Sequence, residues 1–362
     1  MSEAQQLVSE LLLISTGAKE TLSHTYSDTQ WAEALYIANN QSITGVLTVA
    51  MEALPEKSML PSKSVLLQWI GNAQIIEQTT MKMEEATKVV INYFHENGFA
   101  CQILKGSAIG RYYSHPHMRS SGDIDIWLDG GRKKIYDYAR AFDKEGKLYG
   151  VNYHHIHFHL LEDVHIEVHI WPSFLSSPLR NRRLHKFCSL HRPTMECSMP
   201  SLAFDRVFIM LHCYRHMCGH GVGLRQIMDY YYVLKQGFNE EEQADAVYWI
   251  KKLGMKRFAS GLMWLMQYVF GMEDKYLLMP PNEIEGRFIL QEVMMTGNMG
   301  HSDTRNWGSM ESPLSRFLLN LRRDSYLAKH YPHEAIWQPF FSLWLYFWRL
   351  SKGLFGNEGT DN

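Results

Sequence analysis

Two aspartates one residue apart, Asp123 and Asp125, alternate with Ile124 and Ile126 in the run Gly122-Asp123-Ile124-Asp125-Ile126-Trp127-Leu128. Side chains alternate faces along a strand, so both carboxylates project from one face while the isoleucines enter the core. Carboxylates forced together repel, and a divalent cation, usually Mg²⁺, neutralises them most easily. Upstream, Lys105-Gly106-Ser107 reads as a tight turn between a buried strand at Cys101–Leu104 and a helix beginning near Ala108. Such a turn offers backbone N–H groups to an anion such as phosphate. Farther along, Val164–Ile170 reads as a strand on which His165, Glu167 and His169 share a face. A phosphate cradle beside metal-binding carboxylates points to metal-assisted phosphoryl or nucleotidyl transfer.

Leu104-Lys105-Gly106-Ser107, Tyr113 and Pro116 in the next loop, Arg119, and then Gly-Asp-Ile-Asp-Ile form a longer pattern. It resembles the DNA polymerase beta-like nucleotidyltransferase superfamily, and within it the branch called uncharacterised nucleotidyltransferases. The Glu-x-His-x-Trp run of that branch is matched by Glu167, His169 and Trp171. The resemblance covers roughly residues 100–172, with weaker features to Leu234, including Arg225 and Asp229. It implies an α+β protein whose nucleotidyltransferase-fold mixed sheet is flanked by N-terminal and C-terminal helical regions. It also implies Asp123, Asp125 and Glu167 as catalytic residues and ligands of Mg²⁺ or Mn²⁺, with an NTP as co-substrate. Gly106 and Ser107 would hold the terminal phosphates, with Lys105, Arg111 and Arg119 as further phosphate contacts. Sixteen positions separate Ser107 from Asp123, more than in compact superfamily members. The acceptor is not supplied by the resemblance.

The elements that must position these residues follow from periodicity. Residues 1–80 read as an N-terminal helical region, 81–195 as the catalytic core and 196–362 as a C-terminal helical domain. Asp28 is a plausible cap for a helix at Thr29–Ala38, and Ser62 or Ser64 for a longer one. The run from Glu84 to Gly98 places Val90 and Phe94 where they would pack beneath the first strand. Lys133–Glu145 reads as a helix, and Val151–Leu161 pairs with Val164–Ile170 as two strands. Beyond Pro172 the chain is largely helical, with Arg225 and Asp229 spaced for an ion pair within one helix turn. Ala335–Leu350 is rich in aromatics and reads as a docked terminal helix, with contact at a membrane interface as the alternative.

Composition narrows the function class. Hydrophobic content of 46 % and charged content of 20 % describe a globular chain, and a net charge of −2 argues against an obligatory nucleic-acid partner. The expected partners are therefore an NTP and a small-molecule acceptor. The alternatives are a protein or RNA acceptor, or nucleotide binding without catalysis. Five scattered cysteines fit a reduced cytoplasm, and no secretion signal or spanning segment is expected. His154, His155, His157, His159, His165 and His169 are dense, yet no Cys-x-x-Cys or His-Glu-x-x-His spacing occurs. They read as residues of half-buried strands, with His169 supporting Glu167 and well under one equivalent of bound zinc or iron expected; the alternative is a zinc or iron site, since alternate strand histidines can ligate one metal.

Overall fold

Leu7, Leu11 and Ile14 fall on one side of a helix, and such stripes build the first part of the chain: α1 (Glu3–Ser15), α2 (Asp28–Asn40), α3 (Thr44–Glu52) and α4 (Lys63–Glu96). The computed structural model describes residues 2–219, 221–300, 303, 305, 312–352 and 354. Ser27, rather than Asp28, caps α2: its hydroxyl accepts from the Gln30 N–H while the Gln30 side chain accepts from the Ser27 N–H. Asp28 instead accepts the Ser62 N–H at 2.8 Å and ties the start of α4 to α2. α4 runs unbroken through residue 80, so the N-terminal region and the catalytic core share one helix. Its first half buries Val65 and Trp69 against the N-terminal helices, and its second half buries Val90 and Phe94 beneath the sheet.

The sheet is assembled from β1 (Cys101–Ile103), β2 (Asp123–Leu128), β3 (His155–His157) and β4 (His165–His169), in the order β1-β2-β4-β3. β2 and β4 are parallel, and the outer strands pair antiparallel to them. Between β1 and β2 lies the short α5 (Ser107–Gly110), and after β2 comes α6 (Gly131–Phe142). Ile124, Ile126, Ile156, Ile166 and Val168 point to one side and bury with Phe94 of α4 and Ile135 of α6. β3 is shorter than its apolar alternation suggests. Gly150 turns the chain at a φ of +51°, and Tyr149 makes an isolated bridge back to His157 before the strand begins.

The opposite face of the sheet lies against the C-terminal half: α7 (Pro178–Leu190), α8 (Leu202–Cys218), α9 (Leu224–Lys235), α10 (Glu240–Leu253), α11 (Lys256–Phe270), α12 (Glu283–Thr296), α13 (Pro313–Leu327) and α14 (Pro332–Ser351). Trp127 of β2 stacks on Phe204 of α8, with ring centroids 6.0 Å apart, and so joins sheet to helices. These helices and the N-terminal ones share one apolar core, to which Leu11, Trp31, Leu211, Leu262 and Ile289 all belong. The fold is therefore α+β, with helical regions flanking a small mixed sheet. α14 is docked on one side only: Phe341 stacks on Phe174, while Ile336, Phe340, Leu343, Phe347 and Leu350 are exposed. No helix among the described residues is long and apolar enough to cross a membrane.

Candidate active site

The pairing of β2 with β4 puts Asp125 in register with Glu167 and Asp123 with His165. Across the next pair, Glu167 faces His157 and His169 faces His155. Because side chains alternate, Asp123, Asp125, Glu167, His155, His157 and His169 form a polar lattice on the helix-covered face. The expected carboxylates thus converge, from strands 42 positions apart in sequence.

Burial makes that convergence costly, and two cations offset it. Lys105 Nζ lies 2.8 Å from Asp125 Oδ2, and His169 Nε2 lies 2.9 Å from Asp125 Oδ1 and 3.3 Å from Glu167 Oε2. Burial pushes the Asp125 carboxyl up, but the Lys105 charge and the His169 hydrogen bond hold it below the usual range. Glu167 is held low in the same way, with burial overcome chiefly by the His169 hydrogen bond. Burial opposes the charge on His169, yet its bonds to both carboxylates raise it to about 9. Asp123 has no ion pair among the described residues, and the charge of Asp125 raises it.

Gly106 occupies φ +56°, ψ −122°, a conformation that disfavours any side chain, and this bend delivers Ser107 to the site. Ser107 Oγ is buried without a hydrogen-bond partner among the described residues. Two cavities meet here, sharing Lys105, Gly106, Arg119, Ser121 and Asp123 as walls. The smaller, of about 290 Å³, takes in Ser107 and Asp125; the larger, of about 590 Å³, takes in Glu167, His169 and Arg225.

The two arginines expected to contact phosphate are committed elsewhere. Arg119 directs Nε and Nη2 onto the Oδ1 and Oδ2 of Asp229, each at 2.7 Å, and Nη1 onto the Ser120 carbonyl at 3.3 Å. Tyr113 Oη donates to the same Asp229 at 2.7 Å, so the loop from α5 to β2 is clamped to α9. Arg111 donates to Asp205, at 3.2 Å, and to the Pro200 carbonyl at 2.6 Å. The i, i+4 pairing of Arg225 with Asp229 is not formed, because Asp229 has been taken by Arg119. Arg225 instead reaches the Ser120 carbonyl at 3.4 Å, leaves its buried Nε without a partner among the described residues and lines the larger cavity. Its freedom from Asp229 is not visible in local spacing, since the competing arginine is more than a hundred residues away. His220, in the link after α8, lies outside the described residues.

The site thus sets an acidic pair on β2, one member of it in register with a third carboxylate on β4, next to a glycine-bent turn. The chain belongs to the family of uncharacterised nucleotidyltransferases, which matches it over residues 27–271. No curated protein and no solved structure matches it. The match reaches from α2 to just beyond α11 and so includes helices on both sides of the sheet.

Proposed function

We propose that the chain transfers a nucleoside monophosphate from an NTP to a hydroxyl or phosphate of a small molecule. The observation that carries this reading is the register of Asp125 with Glu167 on parallel strands, with Asp123 on the same face. The donor set suits Mg²⁺ or Mn²⁺, since Asp123 makes no ion pair among the described residues while Asp123, Asp125 and Glu167 offer hard oxygen ligands. Divalent ions held there would supply charge to the phosphates and lower the pKa of an acceptor hydroxyl.

The residues around them divide the work. Gly106 and Ser107 open on the smaller cavity and are suited to the terminal phosphates, with the Ser107 hydroxyl as a donor. Lys105 keeps a positive charge beside Asp125. Arg225, facing the cleft near Asp123, is the better phosphate contact than Arg119, which positions the loop. Asp123 lines both cavities, Asp125 the smaller and Glu167 the larger. That arrangement suits a nucleotide on the Ser107 side and an acceptor on the Glu167 side. A cleft of about 590 Å³ is in the range for a small molecule.

The test is to supply each NTP labelled at the α- or the γ-phosphate, with Mg²⁺ or Mn²⁺ and the small-molecule fraction of a cell extract. Label from the α-position should enter a new small molecule while γ-label leaves in pyrophosphate, and Asp125→Asn should abolish both. Transfer of the γ-label to the acceptor would make the chain a kinase and overturn the assignment.

A further inference from the structure

The polar face of the sheet continues past the carboxylates into imidazoles that nucleotidyl transfer does not use. His155 and His157 stand two residues apart on β3 and so point to the same side, and His157 is the register partner of Glu167. One ligand atom each from His155, His157 and Glu167 lie within 4.8 Å of one another. His155 Nδ1 stands 3.3 Å from Glu167 Oε2, yet makes no hydrogen bond with it. Two ligands of a tetrahedral ion at ordinary metal–nitrogen and metal–oxygen distances are themselves separated by about 3.4 Å. The pair is therefore already at ligand spacing, with a ring nitrogen whose direction the carboxylate does not satisfy.

The rings are held in place by packing. His155 and His157 stack at 21° with centroids 5.8 Å apart, and His165 closes against His157 at 4.4 Å. On the far side the backbone is shaped around the ring: a Cβ on Gly150 would lie 2.2 Å from the His157 imidazole. Only glycine, at φ +51°, lets the chain pass there. His155 and Glu167 line the larger cavity, which gives an ion a route in.

We infer that His155, His157 and Glu167 form a second metal site, selective for a borderline divalent ion such as Zn²⁺ or Co²⁺ over Mg²⁺. Two imidazoles and one carboxylate are a donor set that Mg²⁺ disfavours and these ions accept. The alternation of His155 and His157 along β3 supplies two of the ligands, and the register with β4 brings Glu167 to them. The site shares Glu167 with the proposed catalytic centre but does not rest on nucleotidyl transfer.

The experiment uses the full chain, stripped with chelator and titrated with CoCl₂ in millimolar Mg²⁺ without nucleotide. We expect about one cobalt per chain, with visible d–d bands of a low-coordinate site. Asp123→Asn should bind as wild type does, whereas His155→Ala and His157→Ala should each weaken binding roughly tenfold or more. Melting curves check that each variant is folded. Hyperfine-shifted signals from two imidazoles in cobalt-loaded wild type decide the matter without any variant. Absence of stoichiometric cobalt overturns the inference. So does cobalt that survives both histidine changes, or that is lost in Asp123→Asn alone, since the ion would then occupy the carboxylates.

Discussion

Replacing Asp229 with asparagine should destabilise the protein although it removes one charge and no volume. Asp229 and Arg119 are 3 % and 2 % exposed, so neither group has water to fall back on. The carboxylate accepts two guanidinium N–H bonds and the Tyr113 hydroxyl, all at 2.7 Å. In Asp229→Asn one oxygen becomes an NH₂ that faces guanidinium donors. Arg119 then stays buried without an opposing charge, close to Arg225, whose own charged form burial and Arg119 already disfavour. Breaking one side of a buried pair costs about 3–5 kcal/mol. Urea unfolding followed by tryptophan fluorescence should register a loss of that order. The clamped loop leads directly into β2, so the variant should also weaken NTP binding. Replacing both partners, Arg119→Met with Asp229→Leu, should recover much of the stability, because the cost lies in the orphaned charge. A change in Asp229→Asn of less than about 0.5 kcal/mol, the size expected of an ordinary surface substitution, would refute the clamp.

Asp123→Asn should weaken the dependence of NTP affinity on Mg²⁺ or Mn²⁺, as read by calorimetry. Because the folded protein raises the Asp123 pKa, ionising it costs stability as pH climbs above the ordinary aspartate value of 3.8. The variant should thus equal or exceed wild type in stability at neutral pH, and the advantage should fade in acid; a variant that melts lower at pH 7 would contradict this. His169 has the same sign of pH dependence, since its pKa is also raised, from 6.5 to about 9. In chelator-containing buffer the stability of wild type over His169→Gln should be fully present below about pH 6.5 and decline through pH 9. A difference independent of pH would mean that His169 is not charged there.

Much of this site is legible in the sequence because its parts are local. The turn at Lys105-Gly106-Ser107 and the alternation through Asp123 and Asp125 each state their geometry within a few residues. Glu167 is recognisable only through its apolar-acid-apolar setting and the resemblance of Glu-x-His-x-Trp, since nothing in periodicity says which strands are neighbours. The polar contacts are where sequence reasoning runs out. Arg225 and Asp229 have the spacing of a helical pair, yet Arg119 wins because its guanidinium can meet the carboxylate bidentately in a buried place. The unbroken α4 is hidden for a different reason. The turn-like residues near Leu54 to Pro61 mark its beginning, but the shift at residue 80 from one core to another is a change of neighbours, not of helix. Likewise Ala335–Leu350 has the composition of a core helix and leaves much of its apolar surface in solvent.

The most direct test of the three-carboxylate account is Glu167→Gln, with NTP affinity and single-turnover transfer measured on one folded preparation. Glu167 sits across from Asp125 and opens on the larger cleft, away from Ser107. Its loss should therefore spare NTP binding to within about a factor of ten while slowing transfer by roughly 10²–10⁴-fold, the equivalent of several kcal/mol of transition-state stabilisation. Transfer at the wild-type rate, or equal losses of binding and turnover, would contradict the account.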